Sequence, residues 1–184
     1  MKTLSVLVTA ALSVLGTPSL ALAKPAAAAA ASMCAAAEEI VFDCAQGRKV
    51  ISLCAAQAPN GQGRRQLRYV SGTPGKVELD IAQAAHPEAF TAGETGLSGG
   101  GIDYVRVRNG DFAYIVYTGM TPGWSQDGWI VESRGAAISH HICKGGATGP
   151  DVWAPVYKAK LAKASDDQSF QPPEWVGAAP KPAR

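Results

Sequence analysis

The stretch that decides the fold is Asp103 to Thr118, which reads DYVRVRNGDFAYIVYT. Apolar and polar side chains alternate on both sides of its Asn109-Gly110 pair, as expected for two strands of a sheet with one buried face. An Asn-Gly pair readily adopts the positive φ angles of a two-residue type I′ turn. We therefore predict a β-hairpin that folds back at Asn109-Gly110.

The predicted turn also predicts which residues of the hairpin lie opposite one another. Counting outward from it places Val107 opposite Phe112 and Val105 opposite Tyr114, on the side that faces the core. Successive side chains of a strand point to opposite faces, so the alternate residues, beginning with Tyr104, project from the other face.

Short β-rich runs separated by glycine-containing turns continue on both sides of this hairpin. Such a succession is typical of an all-β antiparallel meander. About eight short strands fit a two-layer sandwich or a small barrel, and periodicity alone does not separate the two. One short helix is predicted to follow, over Val156 to Ala164. The predicted strands are Ile40–Cys44, Lys49–Cys54, Gln66–Ser71, Lys76–Ile81, Asp103–Arg108, Asp111–Thr118, Gly128–Glu132 and Ala136–Cys143.

The start of the chain is typical of a cleavable secretory signal. Lys2 precedes an apolar stretch that ends at Leu15, and Ala21-Leu22-Ala23 offers the small residues that a signal peptidase requires. We predict a signal peptide over 1–23. The apolar stretch is shorter than the roughly 20 residues of a membrane-spanning helix, so we predict no transmembrane anchor and a periplasmic or secreted protein.

The remaining chain divides by composition into a linker, one domain and a tail. Residues 24–37 are rich in alanine and bury too little apolar area to offset the entropy of fixing them. Residues 38–160 contain all the predicted strands and have the usual length of a single β domain. Residues 161–184 are rich in proline and alanine, which predicts a disordered tail.

All four cysteines follow the predicted signal peptide, at Cys34, Cys44, Cys54 and Cys143. An even number of cysteines in an exported chain predicts two disulfides. Four cysteines allow three pairings, and the sequence does not choose among them. Because Cys143 closes the last predicted strand, we expect it to return to Cys44 or Cys54, near the start of the domain.

Charge and motif spacing argue against several functional classes. A formal charge of +2 on 184 residues gives no electrostatic basis for binding nucleic acid. His140 and His141 are adjacent on a predicted strand, so their side chains leave opposite faces and cannot share a metal ion. We predict no metal site and no cofactor.

Gly96-Leu97-Ser98-Gly99-Gly100 matches the Gly-x-Ser-x-Gly pattern of serine hydrolases, and Asp127 and His140 follow in the hydrolase order. That pattern requires a strand before the serine and a helix after it. Here a predicted strand follows the glycines instead, which argues against an enzyme. The alternative interpretations are a wide turn or bulge, and a glycine-framed loop that approaches a partner closely.

The chain resembles small exported bacterial β proteins, mostly uncharacterised, across nearly all of the core from Val41 to Cys143. These proteins are distantly similar to the periplasmic lysozyme inhibitors, which are β-sandwiches. The resemblance is carried by Val41-Phe42-x-Cys44, Lys49–Cys54, Leu67-Arg68-Tyr69, Val77-Glu78-Leu79, Ser98–Gly101, Tyr104–Val107 and Phe112–Tyr117.

This resemblance implies a site as well as a fold. Lysozyme inhibitors insert a Ser-Gly-x-x-Tyr loop into the lysozyme cleft, and the matching residues here are Ser98, Gly99, Gly100, Gly101 and Tyr104. The tyrosine follows the serine by six residues rather than four. The resemblance therefore implies a non-enzymatic envelope protein that inhibits a lysozyme-like cell-wall hydrolase. The alternative is a structural or ligand-carrying periplasmic domain that holds a small apolar molecule.

Overall fold

The computed structural model describes residues 32–57, 65–144, 156 and 159–163. The predicted signal peptide, most of the predicted linker and nearly all of the predicted tail lie outside these residues. Within them the protein is all-β, with nine antiparallel strands, one short parallel strand and a 3-10 turn at Pro87–Ala89. The strands are β1 (Glu39–Gln46), β2 (Lys49–Gln57), β3 (Arg65–Thr73), β4 (Lys76–Ala82), β5 (Phe90–Leu97), β6 (Gly100–Asn109), β7 (Phe112–Thr121), β8 (Trp124–Ser133), β9 (Ala136–Ile142) and β10 (Ala162–Lys163).

The strands form two sheets, and neither closes on itself within the described residues. The first sheet has the order β1-β2-β3-β4, and the second has the order β10-β5-β6-β7-β8-β9. Of the two architectures left open by the sequence, the structure is thus the sandwich and not a closed barrel. Each predicted strand corresponds to an observed one.

The main core lies between the inner faces of the two sheets. Large side chains of the first sheet, such as Phe42 and Leu53, are fully buried against Val105 and Val116 of the second. Burying side chains of this size stabilises a fold by roughly 1.5–3 kcal/mol each. This burial requires the alternation that the sequence displays, because only every second residue of a strand faces the partner sheet.

The outer face of the second sheet carries a second buried cluster, made of Ile102, Tyr104, Ile115, Tyr117 and Ile130. Beside it lies an ion pair in which Arg106 Nη1 donates to Glu132 Oε2 at 2.9 Å, and both side chains are about one-tenth exposed. The side chains of Tyr104 and Val105 therefore project from opposite faces of the second sheet, as predicted.

The central hairpin folds back one residue later than predicted. Asn109 pairs with Phe112, so the turn residues are Gly110 and Asp111. Only Gly110 has a positive φ angle, +60°, as in a type II′ turn with glycine in its first position. The predicted pairs Val107–Phe112 and Val105–Tyr114 are wrong, because Val107 pairs with Tyr114 and Val105 pairs with Val116. The pairing register shifts by two residues, an even number, so every side chain keeps its predicted face. Phe112, predicted to face the core, lies at the first position of its strand and is 43% exposed.

Strand β5 is a strand that the sequence pattern did not predict. It pairs along its whole length with β6, from Phe90 opposite Val107 to Leu97 opposite Gly100. Its sequence, FTAGETGL, contains two glycines, which usually weaken a strand. One of them, Gly93, lies directly under the ring of Tyr104, where a Cβ atom would overlap the phenol. The glycine is present because a side chain of the neighbouring strand fills its place.

Two disulfides close the fold, Cys34–Cys54 and Cys44–Cys143, so Cys143 returns to Cys44. Cys34 belongs to a segment that crosses the outer face of the first sheet. There the Met33 amide donates to Ser52 Oγ at 3.0 Å, and Ser32 Oγ donates to Asp43 Oδ1 at 3.2 Å. Burial raises the pKa of the Asp43 carboxyl.

The end of the described chain packs against the second sheet. Val156 and Ala159 are helical and buried in the main core, within the segment predicted to form a short helix. The helix prediction is wrong for Ala162–Lys163, which pairs in parallel with Thr91 and Ala92 of β5. The second sheet therefore extends beyond Lys160.

Candidate functional site

A cleft of about 380 Å³ lies between the two sheets, beside the β1–β2 turn. One wall comes from strands β1 to β3, and the other comes from β7 to β9. Its volume is at the lower end of the range of small-molecule sites, roughly 300–1,000 Å³. The residues that line it are Gln46, Lys49, Ile51, Tyr69, Ser71, Tyr114, Trp129, Val131, Ile138, Ser139 and His141.

Four of the residues that line the cleft carry aromatic rings. Tyr69 and Tyr114 approach across the two sheets with their ring centroids 5.3 Å apart. On neighbouring strands, Trp129 stacks on His141 with centroids 4.2 Å apart and a 26° angle between the planes. These side chains share the inner face because their strand positions alternate with outward residues. The result is a recess with flat, apolar surfaces.

The polar groups of the cleft are mostly paired with one another. Ser139 Oγ and His141 Nε2 are 2.6 Å apart, and Ser71 hydrogen-bonds the buried Tyr69 phenol. The exception is Trp129, whose side chain is almost fully buried while its Nε1–H has no acceptor among the described residues. A buried donor left unpaired costs about 1–3 kcal/mol. Because this atom is closed to solvent, an acceptor on a ligand recovers this energy only when the side chains around it move aside.

One positively charged side chain, that of Lys49, lies at the cleft. Lys49 is the cation among its lining residues, and none of those residues carries a carboxylate. The Lys49 ammonium donates to Glu78 Oε2 at 2.9 Å, outside the cleft lining. Desolvation lowers the pKa of His141, and repulsion by Lys49 lowers it further. The charge of Lys49 therefore acts on a group within the cleft.

The predicted Ser-Gly-rich segment lies elsewhere, at the opposite end of the second sheet. Leu97 pairs with Gly100, so Ser98 and Gly99 form an exposed two-residue turn, and Gly99 has a φ angle of +78°. A Cβ atom on Gly99 would lie 2.9 Å from Pro122 Cδ, in the turn between β7 and β8. The two turns thus support each other in a convex projection, which we call the two-turn tip (residues 97–100 and 121–124).

Tyr104 does not belong to this tip. Its side chain is only 1% exposed and lies flat over Gly93, within the outer cluster of the second sheet. It lies four positions after Gly100 in β6, about 13 Å along the strand. The structure therefore brings Ser98 and Gly99 to one turn, with Gly100 and Gly101 at the start of β6, but not the tyrosine that the resemblance implies.

Local structure at Ser98 differs from a hydrolase nucleophile elbow. The serine lies in a turn between two strands rather than between a strand and a helix. His140, the base in the hydrolase order, lies 2.7 Å from the Tyr117 phenol through its Nε2 atom. Asp127 pairs with Thr118 in the middle of the sheet. The described residues do not form the triad that the motif requires.

Sequence reasoning missed the cleft. The alternation of the central hairpin places Tyr114 on the core-facing side, but nothing in the sequence pairs Tyr114 or Trp129 with Tyr69 or His141. The available signal was an aromatic residue on the inward side of three predicted strands. Because strand pairing between the sheets was unknown, that signal did not indicate a shared recess.

Comparison with known proteins adds no relative. No family model, curated protein or solved structure matches this chain. In the described part of the chain there is no helix with the length and hydrophobicity needed to cross a membrane.

Proposed function

We propose that this protein is an exported, non-enzymatic binding protein of the bacterial envelope that holds a small, largely apolar molecule in the cleft between its sheets. The observation that carries the proposal is the recess of about 380 Å³ walled by Tyr69, Tyr114 and Trp129. Flat apolar walls with a few polar groups are typical of ligand sites. Two disulfides favour an oxidising compartment and support export.

A neutral fluorescent probe tests this function directly. N-phenyl-1-naphthylamine becomes fluorescent in apolar surroundings, and we expect the oxidised full chain to bind it with a stoichiometry of one. Val131→Trp places a large ring in the cleft and should abolish binding. Val77→Trp makes the same change at an exposed position of β4 and should leave binding intact. Equal binding by both variants would contradict the cleft as the site.

A second candidate function rests on the two-turn tip. An inhibitor of a lysozyme-like hydrolase must insert a convex element into the enzyme cleft, and the exposed Ser98 hydroxyl of the two-turn tip suits that role. The burial of Tyr104 argues against the full motif of the lysozyme inhibitors. For this reason we rank the inhibitor second.

Lysis of a cell-wall suspension by lysozymes of several types tests the second candidate. Added full chain at micromolar concentration should slow lysis by at least one type, and Ser98→Ala should relieve the inhibition. Thr73→Ala, at the end of β3, is the matched control and should inhibit like the unaltered chain. Unimpaired lysis by every lysozyme type would exclude this function.

A further inference from the structure

We infer that the ligand of the cleft is a flat aromatic organic anion, with its rings against the aromatic side chains of the lining and its acidic group toward Lys49 and the indole N–H of Trp129. This inference rests on the proposed function and names the chemical class of its ligand. It requires that the ring system be held by stacking and that the head group be held by donors.

The shape of the cleft favours a flat ligand. Tyr69 and Tyr114 form a tilted pair with 31° between their planes, and Trp129 presents a ring already stacked on His141. Ile51 and Val131 add apolar surface to the lining. Aromatic ligands gain from offset or edge-to-face contacts with such walls, beyond the apolar area that they bury.

Hydrogen-bonding capacity in the cleft favours an acceptor on the ligand. The hydroxyl of Ser139 lies within bonding distance of His141, and Ser71 is bonded to Tyr69, so these acceptors are already engaged. The indole N–H of Trp129 is the lining group that is buried without an acceptor among the described residues. A cationic group on the ligand would find no carboxylate among the lining residues.

Charge complementarity makes that acceptor an anion. The ammonium group of Lys49 has three N–H donors and directs one of them to Glu78 at 2.9 Å. Its other donors are available to a group at the cleft mouth. The side chain is 43% exposed, so an anion can reach it without displacing the strand. Glu78 competes for the same ammonium and is expected to weaken anion binding.

A matched pair of probes separates this inference from the proposed function. N-phenyl-1-naphthylamine is neutral, and 8-anilino-1-naphthalenesulfonate has the same ring skeleton with one added sulfonate. We expect the sulfonate to bind at least fivefold more tightly at low salt and to lose this advantage at high salt. Binding of both probes with equal affinity overturns the inference but leaves the proposed function intact. Binding of neither probe overturns both.

Single substitutions then assign the donors. Lys49→Met should weaken sulfonate binding roughly fivefold more than it weakens binding of the neutral probe. Trp129→Phe keeps an aromatic wall, removes the N–H and should weaken sulfonate binding about tenfold. Glu78→Gln should strengthen it. Lys163→Met, on β10 at the far edge of the second sheet, is the control and should change neither affinity.

Nuclear magnetic resonance gives a readout that does not depend on affinity. The indole Hε1 signal of Trp129, assigned by its loss in Trp129→Phe, should move downfield when the sulfonate binds and move little with the neutral probe. A sulfonate preference that persists in both Lys49→Met and Trp129→Phe would contradict the placement of the acidic group.

Discussion

The two ends of the second sheet are built in opposite ways. Beside the Gly110-Asp111 turn, Tyr114 and Trp129 fill the inner face with rings and leave a recess against the first sheet. At the other end, glycines let the β5–β6 and β7–β8 turns approach each other as the two-turn tip. We call the end with the cleft the concave end and the end with the two-turn tip the convex end. Large rings line the first, and glycines without side chains allow the close approach of turns at the second. The comparison teaches that side-chain size, rather than strand pairing, distinguishes the ends.

Removal of a disulfide should have the largest effect on the free energy of unfolding. The disulfide beside the concave end should contribute more than the other. Cys44 and Cys143 are 99 residues apart and each lies two residues from the cleft, whereas Cys34 and Cys54 are 20 apart. By loop-closure entropy, Cys44→Ser with Cys143→Ser should lower the free energy of unfolding by about 4–5 kcal/mol. Urea denaturation of the full chain measures this loss.

The control for that experiment is the other disulfide. Cys34→Ser with Cys54→Ser should cost about 3 kcal/mol, because its loop is shorter. It should also preserve probe binding, since these cysteines lie on the opposite face of the first sheet from the cleft. A larger loss from this pair would contradict the prediction that the disulfide with the longer loop contributes more to stability.

The convex end should be sensitive to a single methyl group. A Cβ atom on Gly100 would overlap the carbonyl oxygen of Met120 in the neighbouring strand, so Gly100→Ala should destabilise the protein by about 1–3 kcal/mol. Gly96→Ala is the control, because no atom lies within 4 Å of its Cβ and its φ is not positive. It should change stability by less than about 0.5 kcal/mol. Thermal or urea unfolding compares them, and equal stability would contradict close packing at the tip.

The smallest expected effect concerns the charge of the concave end. The pKa of His141 should lie below its ordinary value of 6.5, because desolvation and then the Lys49 charge disfavour the imidazolium. Lys49→Met should raise this pKa, while desolvation should keep it below 6.5. A proton NMR titration of the imidazole measures both values. An unchanged pKa in Lys49→Met would mean that the lysine charge does not reach the cleft.

The same shift predicts a weak dependence of stability on pH. A histidine whose folded pKa is lowered binds fewer protons in the native state than in the unfolded state. Its contribution is complete above pH 6.5 and is lost as the pH falls from there through the folded pKa. His141→Gln should remove this part of the slope. Urea unfolding at several pH values between 5 and 7 provides the measurement.

Alternation within one strand was enough to predict most of the fold. The observed β2 and β3 strands begin within one residue of the predicted starts. The turn before β2 contains Gly47 and the turn after β3 contains Gly75, as predicted. These features depend on neighbours in sequence. The hairpin register was not predicted correctly, because Asn109-Gly110 and Gly110-Asp111 both place a glycine in the turn and the local sequence does not choose between them.

Strand β5 shows why other features of the fold could not be predicted from the sequence pattern. Gly93 and Gly96 resemble loop residues to any local pattern, yet Gly93 lies in a paired strand beneath Tyr104. The same ring removes Tyr104 from the surface, so one tertiary contact accounts both for the missed strand and for the dispersed motif. The candidate cleft was missed for a similar reason, since its walls belong to strands of different sheets.

By itself the sequence determined an all-β fold, the faces of its central hairpin and the presence of enough cysteines for two disulfides, because these depend on side-chain period and composition. Only the tertiary structure decided the sandwich, the pairing of Cys44 with Cys143 and the recess between Tyr69 and Trp129. The physical reason is distance along the chain. Contacts between sheets join residues that no local periodicity relates, and they form only where ring volumes and glycine gaps allow the two layers to meet.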